Sequence, residues 1–492
     1  MTTVITAITL ILHWLIILGL GSRILLKRKA RGITFSWLLI IVSVPFFGAF
    51  AYLFVGELWL PHKRIKRYQS FRPYIERKTS ALTKDWNINP GTLKPLAKIL
   101  YTQAHNSFNL PALTGNDVKI YSNAPECFNE VIKDINAAQR SITMLFYIWD
   151  SSGFISEIEH ALINAAARGI QCRVMIDSTG SARFLRSTNI RNLRASGIEI
   201  TELLPVGRFR FLFKRIDIRN HRKIIAIDHQ IAYSGSMNMV DPSCFGAKKG
   251  VGRWVDVMAR IQGPASGLLE LLAMLDRAIE RQADQDRPVD HITEDDITLL
   301  AAPDPDAHPS GSSIQIVPSG PDQAPRVTHD MLLTLIYNAE DTLTITTPYF
   351  IPGESMLYAL TAAALRGVEV TLIVPAKVDS KLVARASRSY FQDLLDAGVT
   401  IHQYQSGLLH SKTVTADNQV AMLGTVNMDK RSFWINFEVS MFLYDTKTVN
   451  DIQRLQHTYT QSSTPINPDQ WSKRSIPSRL LDNLAQLISP IL

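Results

Sequence analysis

The chain copies itself. VKIYSN (118–123), a helical stretch and SITMLFYIW (141–149) lead to AAARGIQCRVMID (165–177). IQIVPSG (314–320), a helical stretch and TLTITTPYF (342–350) lead to AAALRGVEVTLIV (362–374). A repeat on this scale makes each copy the same supersecondary unit, so one local solution has to serve twice. The apolar, β-branched runs predict buried strands and the Ala-rich stretches predict crossover helices. Their alternation predicts an α/β fold on a largely parallel or mixed sheet. Arg168-Gly169 and Arg366-Gly367 stand where the crossover helices end and glycine takes the left-handed cap. The expected architecture is two tandem α/β domains, 115–282 and 314–492, packed about a pseudo-two-fold axis with one shared cleft. Residues 283–313, with DPDAHPSGSS, predict a linker, and residues 61–114 a helical, partly basic connector.

The first sixty residues differ from the rest. Val4 to Leu20 is an apolar run broken only by Thr6, Thr9 and His13, and Ile33 to Val55 is a second run without a charge. Crossing a hydrocarbon core as a helix takes ~20 such residues. The expectation is a transmembrane hairpin over 1–60, with spans of about 4–24 and 33–55. A cleavable signal peptide fits less well. MTTVITAITL has no basic side chain, and the first run ends in Arg23, Lys27, Arg28, Lys29 and Arg31 rather than at a small-residue cleavage site. A hairpin puts the N-terminus and the large domains on one side of the membrane. Lys63, Arg64, Lys66 and Arg67 follow the second run, so basic residues on both flanks leave that side open.

A net charge of +8 calls for an anionic partner, nucleic acid or an anionic membrane surface. The two apolar runs favour the membrane, and the aromatic residues form no base-stacking platform. Cys127, Cys172 and Cys244 are scattered, which excludes a disulfide framework and a zinc site of ordinary spacing. No metal and no cofactor is expected.

Each copy carries one H-x-K-x4-D: His221, Lys223 and Asp228 in HRKIIAID, and His410, Lys412 and Asp417 in HSKTVTAD. Alternate side chains of a strand share a face, so each His and Lys are offered to one phosphate together. Ser236 and Asn238 lie 15 and 17 residues after His221, and Thr425 and Asn427 lie at the same offsets after His410. These small polar groups are candidates to donate hydrogen bonds to phosphoryl oxygens. An acidic residue follows in each copy, Asp256 in WVDVMA and Glu438 in NFEVSM, placed to bond the far nitrogen of its histidine and fix the tautomer. Asp228 and Asp417 have two readings, direct chemistry or an ion pair that holds the strand.

These residues resemble the phospholipase D superfamily, whose signature is a duplicated H-x-K-x4-D with a following G-[GS]-x-N. NHRKIIAID with AYSGSMNMVDP, GLLHSKTV with GTVNMDKRSFWINFE, and the paired apolar N-terminus ending in VGE (55–57) are similar to the bacterial cardiolipin synthases. The one departure is Thr425 where the first copy has Ser236, and the hydroxyl is kept. The resemblance implies a multi-pass protein of the bacterial inner membrane that joins two phosphatidylglycerol molecules into cardiolipin and releases glycerol. It implies a phosphohistidine, with His221 favoured as nucleophile and His410 as proton carrier. Lys223, Lys412, Asn238 and Asn427 would hold the phosphoryl oxygens, the lysines supplying the charge a metal would otherwise bring. A hydrolytic phospholipase D, with water as acceptor, uses the same residues. A nucleic-acid phosphodiesterase is the third reading.

Two further stretches bear on substrate. GRFRFLFKRIDIRNHRK (207–223) is either an ordinary basic loop and strand or a lip that enters the lipid interface. WSKRSIPSRLLDNLAQLISPIL (471–492) is either an interfacial amphipathic helix or core packing.

Overall fold

The computed structural model of the chain describes residues 2–27, 31–56, 62–206, 217–246, 250–284, 311–322 and 326–488. It forms two compact units, one of residues 1–61 with 206–217 and one made of nearly all the rest.

In the first unit, one helix among the described residues, Val4–Leu26, is long and apolar enough to cross a membrane, with mean hydropathy 2.3. Val4, Ile8, Ile11, Leu15 and Leu18 are exposed on its surface, an arrangement water disfavours and lipid does not. The second apolar run is interrupted. It forms a helix over Arg31–Ser43, a second over Pro45–Ala51 and a wide turn over Tyr52–Gly56. Pro45 is the cause: its ring disfavours a helical residue before it, and Val44 sits at φ −139°, ψ 75°. The second piece folds back on the first, and a Cβ at Gly48 would stand 2.8 Å from the Ile40 carbonyl oxygen. The expectation of two uninterrupted spans therefore meets one long helix and one broken run.

The second unit is built on a mixed sheet. The first copy supplies β1 (Ala112–Tyr121), β2 (Ser141–Phe146), β3 (Gln171–Asp177), β4 (Glu199–Leu203), β5 (Ile224–Ile227), β6 (Ile231–Gly235), β7 (Trp254–Val255) and β8 (Met258–Gln262). The second supplies β9 (Ser312–Ser319), β10 (Thr342–Thr346), β11 (Phe350–Ile351), β12 (Glu369–Pro375), β13 (Thr400–Tyr404), β14 (Leu408–Leu409), β15 (Thr413–Ala416), β16 (Val420–Gly424), β17 (Met428–Asp429), β18 (Glu438–Leu443) and β19 (Ser463–Pro465). The order β4-β3-β2-β5-β6-β8-β1 is answered by β9-β18-β16-β15-β10-β12-β13, with β19 at the edge. β2-β3-β4 and β10-β12-β13 are parallel, as crossover helices require. The halves join antiparallel at β1 and β9, where Leu113 faces Ile314. One sheet thus runs through both copies, related by a pseudo-two-fold axis at that seam.

The central strands are buried on both faces, so they read as unbroken apolar runs rather than alternation. Crossover helices Ala124–Ala137 and Phe154–Ala167 cover one face of the first half. Helices Pro264–Asp284 and Thr446–Gln461 cover the opposite face, through Leu269, Leu272, Val449 and Ile452. Truncating a fully buried leucine of this layer, such as Leu145 or Leu423, to alanine costs ~2–5 kcal/mol.

The segment before β1 is largely helical. His62–Thr83 packs Phe71 and Tyr74 on Leu271, Met274 and Leu275, and buries Arg64 against Glu280 and Asp322. Strand β1 begins at Ala112, before the expected domain start, and helix Pro264–Asp284 extends to the edge of the expected linker. Residues 285–310 of that linker and 207–216 of the basic stretch lie outside the described residues. The tail forms helix Ile476–Ile488. It docks through buried Ala485 and through Asp482, which pairs with Arg385 at 3.2 Å and Arg474 at 2.8 Å, and it exposes Ile476, Leu480, Leu484 and Leu487.

Asp228 and Asp417 occupy left-handed positions, φ 53° and 52°, in the turns after β5 and β15. Asp228 accepts the N–H groups of Gln139 (2.7 Å), Arg140 (2.7 Å) and Ser141 (2.9 Å). Asp417 accepts those of Glu340, Asp341 and Thr342, each at 2.9 Å. Among the described residues each is a backbone clasp without an ion pair, and neither lines the cavity over the motif histidines. Strand rise explains it, because the spacing from His to Asp spans roughly 20 Å of extended chain.

Candidate active site

The motif histidines come together because each copy's motif segment is stitched to the other copy. The His221 N–H donates to the Phe437 carbonyl at 2.8 Å, and the Phe437 N–H to the Arg219 carbonyl at 2.9 Å. Symmetrically, the His410 N–H donates to the Val255 carbonyl at 2.8 Å, and β14 pairs in parallel with β7. The residue after Phe437 is Glu438 and the residue after Val255 is Asp256. The acids are thereby delivered to the histidines of the opposite copy. His221 Nδ1 lies 2.9 Å from Glu438, and His410 Nδ1 lies 2.7 Å from Asp256. Each acid had been expected to serve the histidine of its own copy. The dyads are crossed.

Ser236 and Thr425 face the acids. Both are fully buried. Ser236 Oγ donates to Asp256 at 2.6 Å and Thr425 Oγ1 to Glu438 at 2.5 Å. Each also accepts a backbone N–H at 2.9 Å, from Val257 and Val439. The hydroxyls orient the carboxylates that orient the imidazoles. Asn436 adds a bond to Glu438 at 3.2 Å.

A cavity of about 320 Å³ opens over these dyads, and its wall includes His221, His410, Asn238 and Asn427. Asn238 Oδ1 accepts the Ile148 N–H at 3.2 Å, whereas the buried Oδ1 of Asn427 has no hydrogen-bond partner. Lys223 and Lys412 are buried behind the wall. Lys223 Nζ donates to the His221 carbonyl at 2.8 Å, and Lys412 Nζ to the His410 carbonyl.

Burial sets the charge states. It lowers Lys223 to about 8 and Lys412 to about 7, against the upward pull of Asp256 and Glu438. It lowers His221 to about 4, outweighing Glu438, and it lowers His410 in the same way. Burial pushes Asp256 and Glu438 up, but the histidines and lysines beside them bring both below the ordinary carboxylate range. At neutral pH the resting dyads are carboxylate and neutral imidazole. The carboxylate accepts a hydrogen bond from Nδ1–H, which leaves the Nε2 lone pair as the reactive end of each ring.

Several wall residues were not singled out in the sequence. Tyr147 meets His221 edge-on at 5.1 Å, and Trp254 lies against His410 with ring centres 4.5 Å apart. Arg219, Tyr349, Asp379, Asp429, Lys430 and Arg431 also line the wall. A usable signal existed for some of them. Arg219, Trp254 and Asn436 each stand two residues before a motif residue, on the same face of an extended run.

The model of the cardiolipin synthase, PLD-like domain matches residues 131–250 and 332–458, and the model of the phospholipase D-nuclease N-terminal segment matches residues 6–57. The chain is 39% identical to cardiolipin synthase A of Serratia proteamaculans (strain 568), covering all of both chains. It is 38% identical to cardiolipin synthase A of Proteus mirabilis (strain HI4320), covering 100% of this chain and 99% of that one. A solved phosphatidylserine synthase of Haemophilus influenzae Rd KW20 superposes with TM-score 0.58 at 14% identity, over 79% of this chain and 99% of that one, and shares the fold. With the duplicated motif, the crossed dyads and full-length similarity in agreement, the chain belongs to the cardiolipin synthase A family of the phospholipase D superfamily.

Proposed function

We propose that the enzyme transfers the phosphatidyl group of one phosphatidylglycerol to a hydroxyl of a second, giving cardiolipin and glycerol through a phosphohistidine. The observation that carries this reading is the pair of crossed dyads, which turns two Nε2 atoms toward one cavity with two buried cations behind them. The negative charge of the bound phosphodiester raises the proton affinity of His410, which enters the cycle protonated. In the first step His221 Nε2 attacks phosphorus, the bond to the glycerol oxygen breaks, and His410 gives its proton to that oxygen. In the second step neutral His410 takes the proton of the acceptor hydroxyl, whose oxygen attacks phosphorus and breaks the P–N bond. Proton and charge balance over the cycle. Burial lowers both imidazoles, so either keeps a lone pair available, and His221 is taken as the nucleophile from the family resemblance. Lys223 and Lys412 stabilise the charge that builds on the phosphoryl oxygens, and Asn238 and Asn427 donate to them.

The exposed apolar surface of Val4–Leu26 supports attachment to a bilayer, and the apolar run after it supports a second, interrupted passage in a bacterial inner membrane. Incubation of the purified enzyme with phosphatidylglycerol alone tests the reading. Cardiolipin and glycerol are expected; phosphatidic acid as sole product would replace it with hydrolysis. A donor lacking free glycerol hydroxyls, quenched in base, should leave label on His221.

A further inference from the structure

The pseudo-two-fold axis relates the dyads, lysines and asparagines but not the charges around them. Two residues before His221 stands Arg219; two residues before His410 stands Leu408. Four residues after Asn427 stands Arg431; four after Asn238 stands Pro242. A site that handled one phosphate and a neutral alcohol would have no use for this excess. Arg219 and Arg431 both lie on the cavity wall.

Arg219 is 3% exposed, and its buried Nε has no hydrogen-bond partner. Its Nη1 donates to Ser178 Oγ at 3.1 Å and makes longer contacts, each 3.5 Å, to the Leu204 carbonyl and to Asp177. Asp177 spends its oxygens on the N–H groups of Thr179, Gly180 and Asn220. Two carboxylates share the wall: Asp379 accepts the Tyr349 hydroxyl at 2.9 Å and Asp429 the Ser432 N–H at 2.7 Å. Residues two apart in an extended segment share a face, with Cα atoms about 6–7 Å apart. Arg219 therefore stands beside His221 at about the span of a bridging glycerol.

We propose that Arg219, with Arg431, forms a second anion subsite that holds the non-reacting phosphodiester of the acceptor. This rests on the transfer reading above and deepens it, since it selects an acceptor that is itself a phosphodiester over water or a neutral alcohol. The structure of cardiolipin, two phosphates on one glycerol, requires such a group one glycerol away from the reacting phosphorus.

The test is a product ratio. Full-length enzyme is given phosphatidylglycerol together with 1-butanol, and cardiolipin and phosphatidylbutanol are quantified from the same reaction. Arg219→Gln should lower the cardiolipin-to-phosphatidylbutanol ratio about tenfold or more, the loss expected for a charge-assisted contact made to one acceptor only. Arg219→Lys should recover part of it. Deacylated phosphatidylglycerol as acceptor should lose ground like the lipid, which separates recognition of the phosphodiester from contact with acyl chains. An unchanged ratio, whether activity is kept or both products fall together, would overturn the subsite. If Arg219→Gln does not fold, Arg431→Gln decides by the same ratio. A wild-type enzyme that makes no cardiolipin would instead remove the transfer reading and the subsite with it.

Discussion

Lysine at 412 can be exchanged for arginine, which keeps the charge and removes the titration. Burial puts Lys412 at about 7 and Lys223 at about 8. Both groups carry charge below those values and lose it as pH rises through them. The profile of kcat/KM reports the free enzyme, so it should bend downward from about pH 7. With the two lysines titrating independently, at pH 8 roughly a tenth of Lys412 and half of Lys223 remain charged, leaving about a twentieth of the enzyme competent. In Lys412→Arg only Lys223 limits, and about half is competent, so activity at pH 8 relative to the plateau should rise about tenfold. The alkaline limb should move from about 7 to about 8. Arginine is larger than the buried lysine, so the plateau itself should fall; the informative quantity is where the limb lies. The assay is initial rate against phosphatidylglycerol in mixed micelles across the pH range, at low substrate. The limb of kcat should lie higher in both enzymes, because a bound phosphodiester holds the lysines protonated. A limb that stays near 7 in an active Lys412→Arg enzyme would refute the assignment of that titration to Lys412.

Other expectations follow from the same geometry. His221→Ala and His410→Ala should each lower turnover by about a thousandfold or more without changing the unfolding midpoint by more than a few degrees, since each ring serves one half of the reaction; near-normal turnover in either would break the shared-site scheme. Asp417→Ala removes the acceptor of three backbone N–H groups and should cost about 2–4 kcal/mol of stability, read as a lowered denaturation midpoint, while folded enzyme keeps its rate per molecule. A rate loss without a stability loss would return Asp417 to the chemistry. Incubation with EDTA should leave activity intact, because Lys223 and Lys412 supply the positive charge; loss restored by one divalent ion would contradict this.

The repeat, the α/β class and the alternation of His and Lys were legible because they rest on local chemistry: apolar runs bury, and side chains two apart share a face. The motif types at His221, Lys223, Asn238 and their counterparts were found on that basis. The break in the second apolar run is not legible, because hydropathy counts side chains and not backbone geometry. One proline and the close approach allowed by Gly48 turned a single expected helix into two. The contacts of Ser236 and Thr425 are not legible for a related reason. A hydroxyl beside a phosphate motif can donate to substrate or to the acid behind it, and only burial tells which.

From sequence alone came the identity of the reactive groups, their duplication and the apolar start of the chain, all set by residues within a strand or helix of one another. The tertiary structure decided who partners whom. Glu438 lies 217 positions from His221 and Asp256 lies 154 from His410, and nothing local links them. Their meeting depends on the seam between β1 and β9 and on the exchange of backbone hydrogen bonds between the copies. A strand's spacing determines which way a side chain points, but what it points at depends on which strand the chain lays beside it.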